Sequence, residues 1–198
     1  MKRKMLAILT SVIMLCAMLP LSAMSVSAAT SGTTGDCTWT LDGTHLTITG
    51  NGAMGDYIYY PYNGVTYTTA PWKQNITSIT LEEGVTTIGN YAFYGCDSLT
   101  WIKIPDSVTI IGEFAFSSCG LLSEATLGDG VNTIEYAAFA HCGSLTSVNI
   151  PNSVITIERF AFTDCTGLES VTMGKNVVAI KGEVFKNCHF PFAFWFSM

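Results

Sequence analysis

The stretch Leu99-Thr-Trp-Ile102-Lys-Ile104-Pro-Asp-Ser-Val108-Thr-Ile-Ile111-Gly-Glu-Phe-Ala115-Phe116-Ser-Ser-Cys119 organises the chain, because each of its apolar landmarks returns at an offset of 23 residues. Cys96, Cys119, Cys142, Cys165 and Cys188 form one such column, Phe93, Phe116, Phe139, Phe162 and Phe185 a second, and Ile88, Ile111, Ile134, Ile157 and Ile180 a third. A fourth column runs Val85, Val108, Val131, Val154 and Val177. The units begin at Ile76, Leu99, Leu122, Leu145 and Leu168, with no insertion between them. A fixed period of this kind marks a solenoid, in which a unit too small to bury its own apolar face stacks like residue on like residue.

Inside one unit, Ile102 and Ile104 alternate with polar neighbours, the period of a strand with one buried face. Pro105, and at the same place Glu82, Gly128, Pro151 and Gly174, ends that strand. Val108 and Ile111 then point inward again, and Ala115-Phe116 with Cys119 have the i, i+1, i+4 spacing of about one helical turn. The expected fold is therefore a solenoid of mixed, β-rich α+β class: five stacked 23-residue strand–turn–short-helix units over residues 76–190, joined by a parallel sheet. At about 4.8 Å per strand, five units make a sheet of roughly 20 Å.

Residues 29–75 read as an N-terminal β cap, needed because an open solenoid end shows bare core and unpaired strand groups. Asp42-Gly43 between the alternating stretches 38–42 and 45–50 is a hairpin signal. The loop from Asp56 to Thr69 holds five of the chain's eight tyrosines. Tyr59, Tyr60 and Tyr62 are ligand-binding candidates there, since a tyrosine offers a broad ring with a polar tip to a sugar or protein. The competing reading is that these rings simply cover the first repeat. Residues 191–198, Pro-Phe-Ala-Phe-Trp-Phe-Ser-Met, keep the repeat phase: Phe194 and Phe196 fall on the columns of Val171 and Met173. That tail is expected either to fold over the open end or to be a truncated sixth repeat of a longer array, the second being favoured. In both cases it is a site of self-association.

Residues 1–28 read as a secretory signal peptide: Lys2-Arg3-Lys4, an apolar run broken by Pro20, then Val26-Ser27-Ala28 as a small-residue cleavage site. Cleavage leaves no membrane span and shifts the formal charge from −6 to −9, with six basic against fifteen acidic residues. An acidic chain of this kind is a poor partner for nucleic acid.

No catalytic constellation is present. His45, His141 and His189 lie in no metal or nucleophile motif, and cysteines 23 apart make no zinc site. The cysteine column falls on the side of Phe and Ala, where Cys acts as a small hydrophobe, so free buried thiols are expected over disulfides. No cofactor and no metal are implied. The outward strand positions Ser78, Trp101, Glu124, Ser147 and Ser170, with Thr80, Lys103, Thr126, Asn149 and Thr172, are the remaining surface. Trp101 beside Lys103 and Glu124 is the kind of aromatic anchor that interfaces use, and these three residues are ligand-binding candidates. A scattered surface aromatic is the competing reading.

The pattern L-x-x-I-x-I-P-x-x-V-x-x-I-x-x-x-A-F-x-x-C, clearest at 99–119 and 145–165, resembles the BspA-type leucine-rich repeat of bacterial surface proteins. The resemblance covers 76–188 and extends to Cys37-Thr-Trp39, Leu46-Thr-Ile48 and Ala70-Pro-Trp72, which look like the cap that precedes such repeats. Ala125, Val184 and the tail depart from the pattern. The resemblance implies a leucine-rich-repeat solenoid on a secreted or cell-surface protein, in contact with an extracellular protein or glycan, and supplies no catalytic residues. Two readings follow: adhesion through the repeat surface, or spacer repeats of a larger surface protein whose specificity lies elsewhere.

Overall fold

The fold is that of a computed structural model describing residues 30–62, 65–72 and 76–190; the expected signal peptide and the 191–198 tail lie outside them. At the front, β1 (Ser31–Thr34) and β2 (Cys37–Asp42) pair antiparallel, and β2 pairs antiparallel with β3 (His45–Gly50) across the Gly43-Thr44 turn. Next come β4 (Gly52–Ala53) and a separate antiparallel hairpin, β5 (Tyr59–Tyr62) with β6 (Val65–Thr68). From there each turn supplies two short strands. They are β7 (Ser78–Leu81) and β8 (Val85–Ile88), β9 (Trp101–Lys103) and β10 (Ile110–Ile111), and β11 (Glu124–Thr126) and β12 (Thr133–Ile134). The last two pairs are β13 (Ser147–Asn149) with β14 (Thr156–Ile157), and β15 (Ser170–Thr172) with β16 (Ala179–Ile180).

The second strands stack in parallel in the order β16-β14-β12-β10-β8-β4, and the first strands as β15-β13-β11-β9. Register is 23 residues at every step from β8 to β16 and from β9 to β15, Glu124 opposite Trp101 and Ile134 opposite Ile111. Between the two sheets lies an apolar interior. Phe93, Phe116, Phe139 and Phe162 are fully buried and stacked, at 5.1 Å for the first two steps and 5.3 Å for the third, along with the Leu, Ile, Val and Cys columns. The last turn is less covered: Val177 and Phe185 are half-buried, and Ile180 is 40% exposed where Ile157 is sealed.

Two expectations need correction. No α-helix occurs among the described residues, and the segment expected to be a helical turn is a chain of turns. Its backbone enters the left-handed region at two columns per turn, at Tyr91, Phe114, Ala137, Phe160 and Glu183, and again at Gly95, Ser118, His141, Asp164 and Asn187. A helix needs consecutive right-handed residues, so it cannot form. The alternation aims every second N–H along the stacking axis. Phe116 N–H bonds to Ala138 O (2.8 Å) and Phe114 N–H to Tyr136 O (3.0 Å), while Ala115 and Ser117 close local turns. A helix would spend those donors on itself; here they make a third hydrogen-bonded wall between turns. The five-unit count also does not stand as expected. The first-strand sheet is continuous over four turns, whereas β7 pairs in parallel with β3 and joins the cap.

The cap is thus an irregular turn of the same solenoid. β3 lies under β7 and β4 under β8. Trp72 stands where the repeats have Phe, with its ring 6.1 Å from Phe93 and its Nε1–H donating to Ala92 O at 3.0 Å. The offset from His45 to its partner Ser78 is 33 residues, ten more than the repeat, and the β5–β6 hairpin, residues 59–68, has that length.

Candidate functional site

Trp101, Lys103 and Glu124 come together on the outward face of the first-strand sheet. Trp101 sits directly opposite Glu124 and Lys103 opposite Thr126, and all three are exposed, Trp101 by 48%. Inward neighbours Ile102 and Ala125 lock the backbone into the core, so the outward side chains stand on a fixed sheet. Beside Trp101 the sheet is interrupted, since no ladder joins β7 to β9 among the described residues. Along this seam lies a depression of about 300 Å³, lined by Thr80, Glu82, Glu83, Trp101, Lys103 and Pro105. One ring, one ammonium and two carboxylates there can hold a polar ligand with an apolar patch.

Tyr59, Tyr60 and Tyr62 lie on β5, away from that face. Their side chains are outside what is described, but the hairpin's root is fixed: Thr69 N–H donates to Ile58 O, and Ile58 N–H to Thr69 Oγ1. Next to the root, Tyr57 N–H donates to Asn90 O, which anchors the root at the start of the turn wall, two residues beyond β8. The two sequence-derived groups therefore make two surfaces. Tyr57 behaves as a cover for the first repeat: its ring meets Trp72 at 5.1 Å and its hydroxyl donates to Thr34 Oγ1 at 2.6 Å. Burial pushes the Tyr57 phenol up, partly offset by that hydrogen bond.

A third surface escaped the sequence reading. On the turn wall Tyr91, Phe114, Tyr136 and Phe160 form a strip of rings with centroids 4.8, 5.3 and 5.5 Å apart, and the Arg159 guanidinium lies 5.2 Å above Phe160. The signal was present, since Tyr91, Phe114 and Phe160 share the 23-residue period. A helical reading of the segment hid that they face outward together.

The histidines act as braces. His45 Nδ1 meets Ser78 Oγ at 2.7 Å and its Nε2 meets Thr80 Oγ1 at 3.1 Å, pinning β3 to β7; His189 Nδ1 meets Thr166 O at 3.1 Å. All six described cysteines are free thiols. Four of them donate Sγ–H one turn back, Cys119 to Phe93 O, Cys142 to Phe116 O, Cys165 to Phe139 O and Cys188 to Phe162 O, at 3.1 to 3.2 Å. Desolvation holds the Cys119 and Cys142 thiols well above their ordinary range, and Cys188 is pushed up to about 12 by partial burial. Burial, and then the neighbouring carboxylates of Glu158 and Glu113, raise the Glu135 carboxyl. No group of three or more His, Cys, Asp or Glu able to hold a metal is found among the described residues, nor any helix long and apolar enough to cross a membrane.

Residues 70–190 match the model of the BspA type leucine rich repeat region in six copies, so the first copy takes in Ala70-Pro71-Trp72 ahead of the units counted by spacing. Among solved structures, a leucine rich repeat protein of T. pallidum is 26% identical with a TM-score of 0.52, the match covering 77% of this chain and 64% of that one. A leucine rich cell surface protein from Faecalibacterium prausnitzii is also 26% identical, with a TM-score of 0.54 and coverage of 84% and 48%. A leucine-rich repeat protein from Eubacterium ventriosum, 23% identical with a TM-score of 0.52 and coverage of 75% and 45%, shares the fold. The chain spans less than two thirds of the length of each. No curated protein matches it.

Proposed function

The chain belongs to the BspA-type leucine-rich repeat family, and from that premise we propose that it is a secreted or cell-surface module that holds an extracellular protein or glycan partner against its first-strand sheet. The observation that carries this reading is Trp101, half-exposed on a rigid sheet, with Lys103, Glu124 and the seam beside β7 around it. A surface aromatic held by a sealed core loses little entropy on binding, which is what an interface anchor needs. The reading includes no catalytic step. Its test is a binding screen of the chain against immobilised extracellular-matrix proteins and a glycan array, with Trp101→Ala alongside. A partner retained by wild type and weakened at least tenfold by Trp101→Ala, at an unchanged melting temperature, supports it. Equal retention of every partner by the variant refutes it.

A second reading has its own observation. The similar structures are longer, the chain covering 64% and 48% of the two at 26% identity, which suits spacer repeats of a larger surface protein. Binding absent here but present in a longer natural protein containing this segment would favour it.

A further inference from the structure

The turn wall carries a built hollow that neither the strand face nor the tyrosine hairpin explains. In the column Tyr91, Phe114, Ala137, Phe160, Glu183 every turn places a large side chain outward except one, where Ala137 stands. In the column Tyr94, Ser117, Ala140, Thr163, Lys186 the same turn again has alanine. The two alanines are buried, and they floor a hollow of about 350 Å³. That is at the low end of the roughly 300–1,000 Å³ of small-ligand sites.

Its two walls differ in chemistry. On one side stand Phe114, Tyr136 and Phe160. Tyr91 and Phe114 stack at 13°, so their faces look along the solenoid axis and cover each other. Tyr136 is turned 58° from Phe114 and 72° from Phe160, so its face looks sideways, and the residue is 36% exposed. On the other side Asp164 accepts from Asn187 Nδ2 at 2.7 Å through one oxygen and faces His141 Nδ1 at 3.5 Å with the other. Lys186 Nζ, 2.6 Å from Glu183, and Thr163 complete that rim.

We infer that this hollow is a saccharide subsite, in which one sugar ring seats over Ala137 and Ala140 with an apolar face on Tyr136 and its hydroxyls toward Asp164, Asn187 and Lys186. The chemistry favours a sugar over a protein side chain. A sugar has one face of C–H groups and a periphery of hydroxyls that both donate and accept, which matches a single presented ring opposite a rim holding both kinds of group. A protein partner would need about 800 Å² of surface per side, most of it apolar at the centre, and this hollow is a single-ring feature. The subsite lies on the turn wall and is independent of the strand-face reading.

The test is saturation-transfer NMR on the full chain with methyl β-galactoside, methyl β-glucoside and methyl α-mannoside at millimolar concentration. At least one glycoside shows transfer with wild type and with Leu121→Ala, an exposed side chain that lines neither this hollow nor the seam beside β7. Tyr136→Ala weakens it at least tenfold. Ala137→Phe, whose ring must enter the space beside Tyr136, abolishes it, with its folding checked by a thermal melt. No transfer with wild type, or transfer undiminished in a folded Ala137→Phe, overturns the inference; so does a signal lost in Trp101→Ala and kept in Tyr136→Ala, which would put the sugar on the strand face.

Discussion

Raising the pH from 8 to 10 under reducing conditions is expected to destabilise the protein through its thiol column. Cys119 and Cys142 are fully buried, and burial, reinforced by the neighbouring thiols, holds both well above the ordinary value of 9.0. The folded state therefore keeps their protons at pH 10, whereas the unfolded chain releases them from about pH 9. Stability from this source is fully present below pH 9 and falls as pH rises above it, because the unfolded state then binds fewer protons. Each thiol removes up to about 1.4 kcal/mol per pH unit in that range, so the pair removes up to about 3 kcal/mol by pH 10. The assay is urea unfolding at pH 8 and pH 10, comparing wild type with the Cys119→Ala/Cys142→Ala double variant. Other titrating groups are common to both and cancel in the comparison. The carbonyls that lose a thiol donor keep a backbone one, from Cys96 to Phe93 and from Cys119 to Phe116, so the variant retains its turns. With an m-value near 2 kcal/mol/M, the wild-type midpoint should fall about 1.5 M further than the variant's. An equal fall in the two proteins would refute the account of the column as buried, protonated thiols.

Phe139→Ala should cost about 3–5 kcal/mol by urea unfolding, since the ring is sealed between Phe116 and Phe162, while Phe185→Ala in the half-buried last turn should cost clearly less; equal costs would contradict a stacked core. Gly95 shares its left-handed column with Ser118, at φ 64° and 63°, so Gly95→Ala should lower stability by about 1 kcal/mol and Ser118→Gly should not, read as shifts in melting temperature. Ser107 Oγ accepts from Gly84 N–H and donates to Val85 O, whereas Ser153 Oγ, in the same column, is buried without a partner. Ser107→Ala should therefore cost about 1 kcal/mol and Ser153→Ala about nothing, by chemical denaturation.

Periodicity determined the solenoid, its parallel register and its core. Identical residues 23 apart can satisfy their apolar faces only by stacking, so the Phe, Ile, Val and Cys columns were legible before any coordinates, as was the Asp42-Gly43 hairpin of the cap. The side of Trp101, Lys103 and Glu124 followed from strand alternation, which is local. The path of the chain between Ile111 and Cys119 was not legible, because i, i+1, i+4 spacing fits a helical turn and also a run of alternating-handed turns. What decides between them is the next turn of the solenoid, whose carbonyls at Tyr136 and Ala138 claim the N–H groups of Phe114 and Phe116. The same choice turns Tyr91, Phe114 and Phe160 outward into one strip and leaves the gap at Ala137. Each of these depends on partners 22 residues away, and so tertiary structure alone could set them.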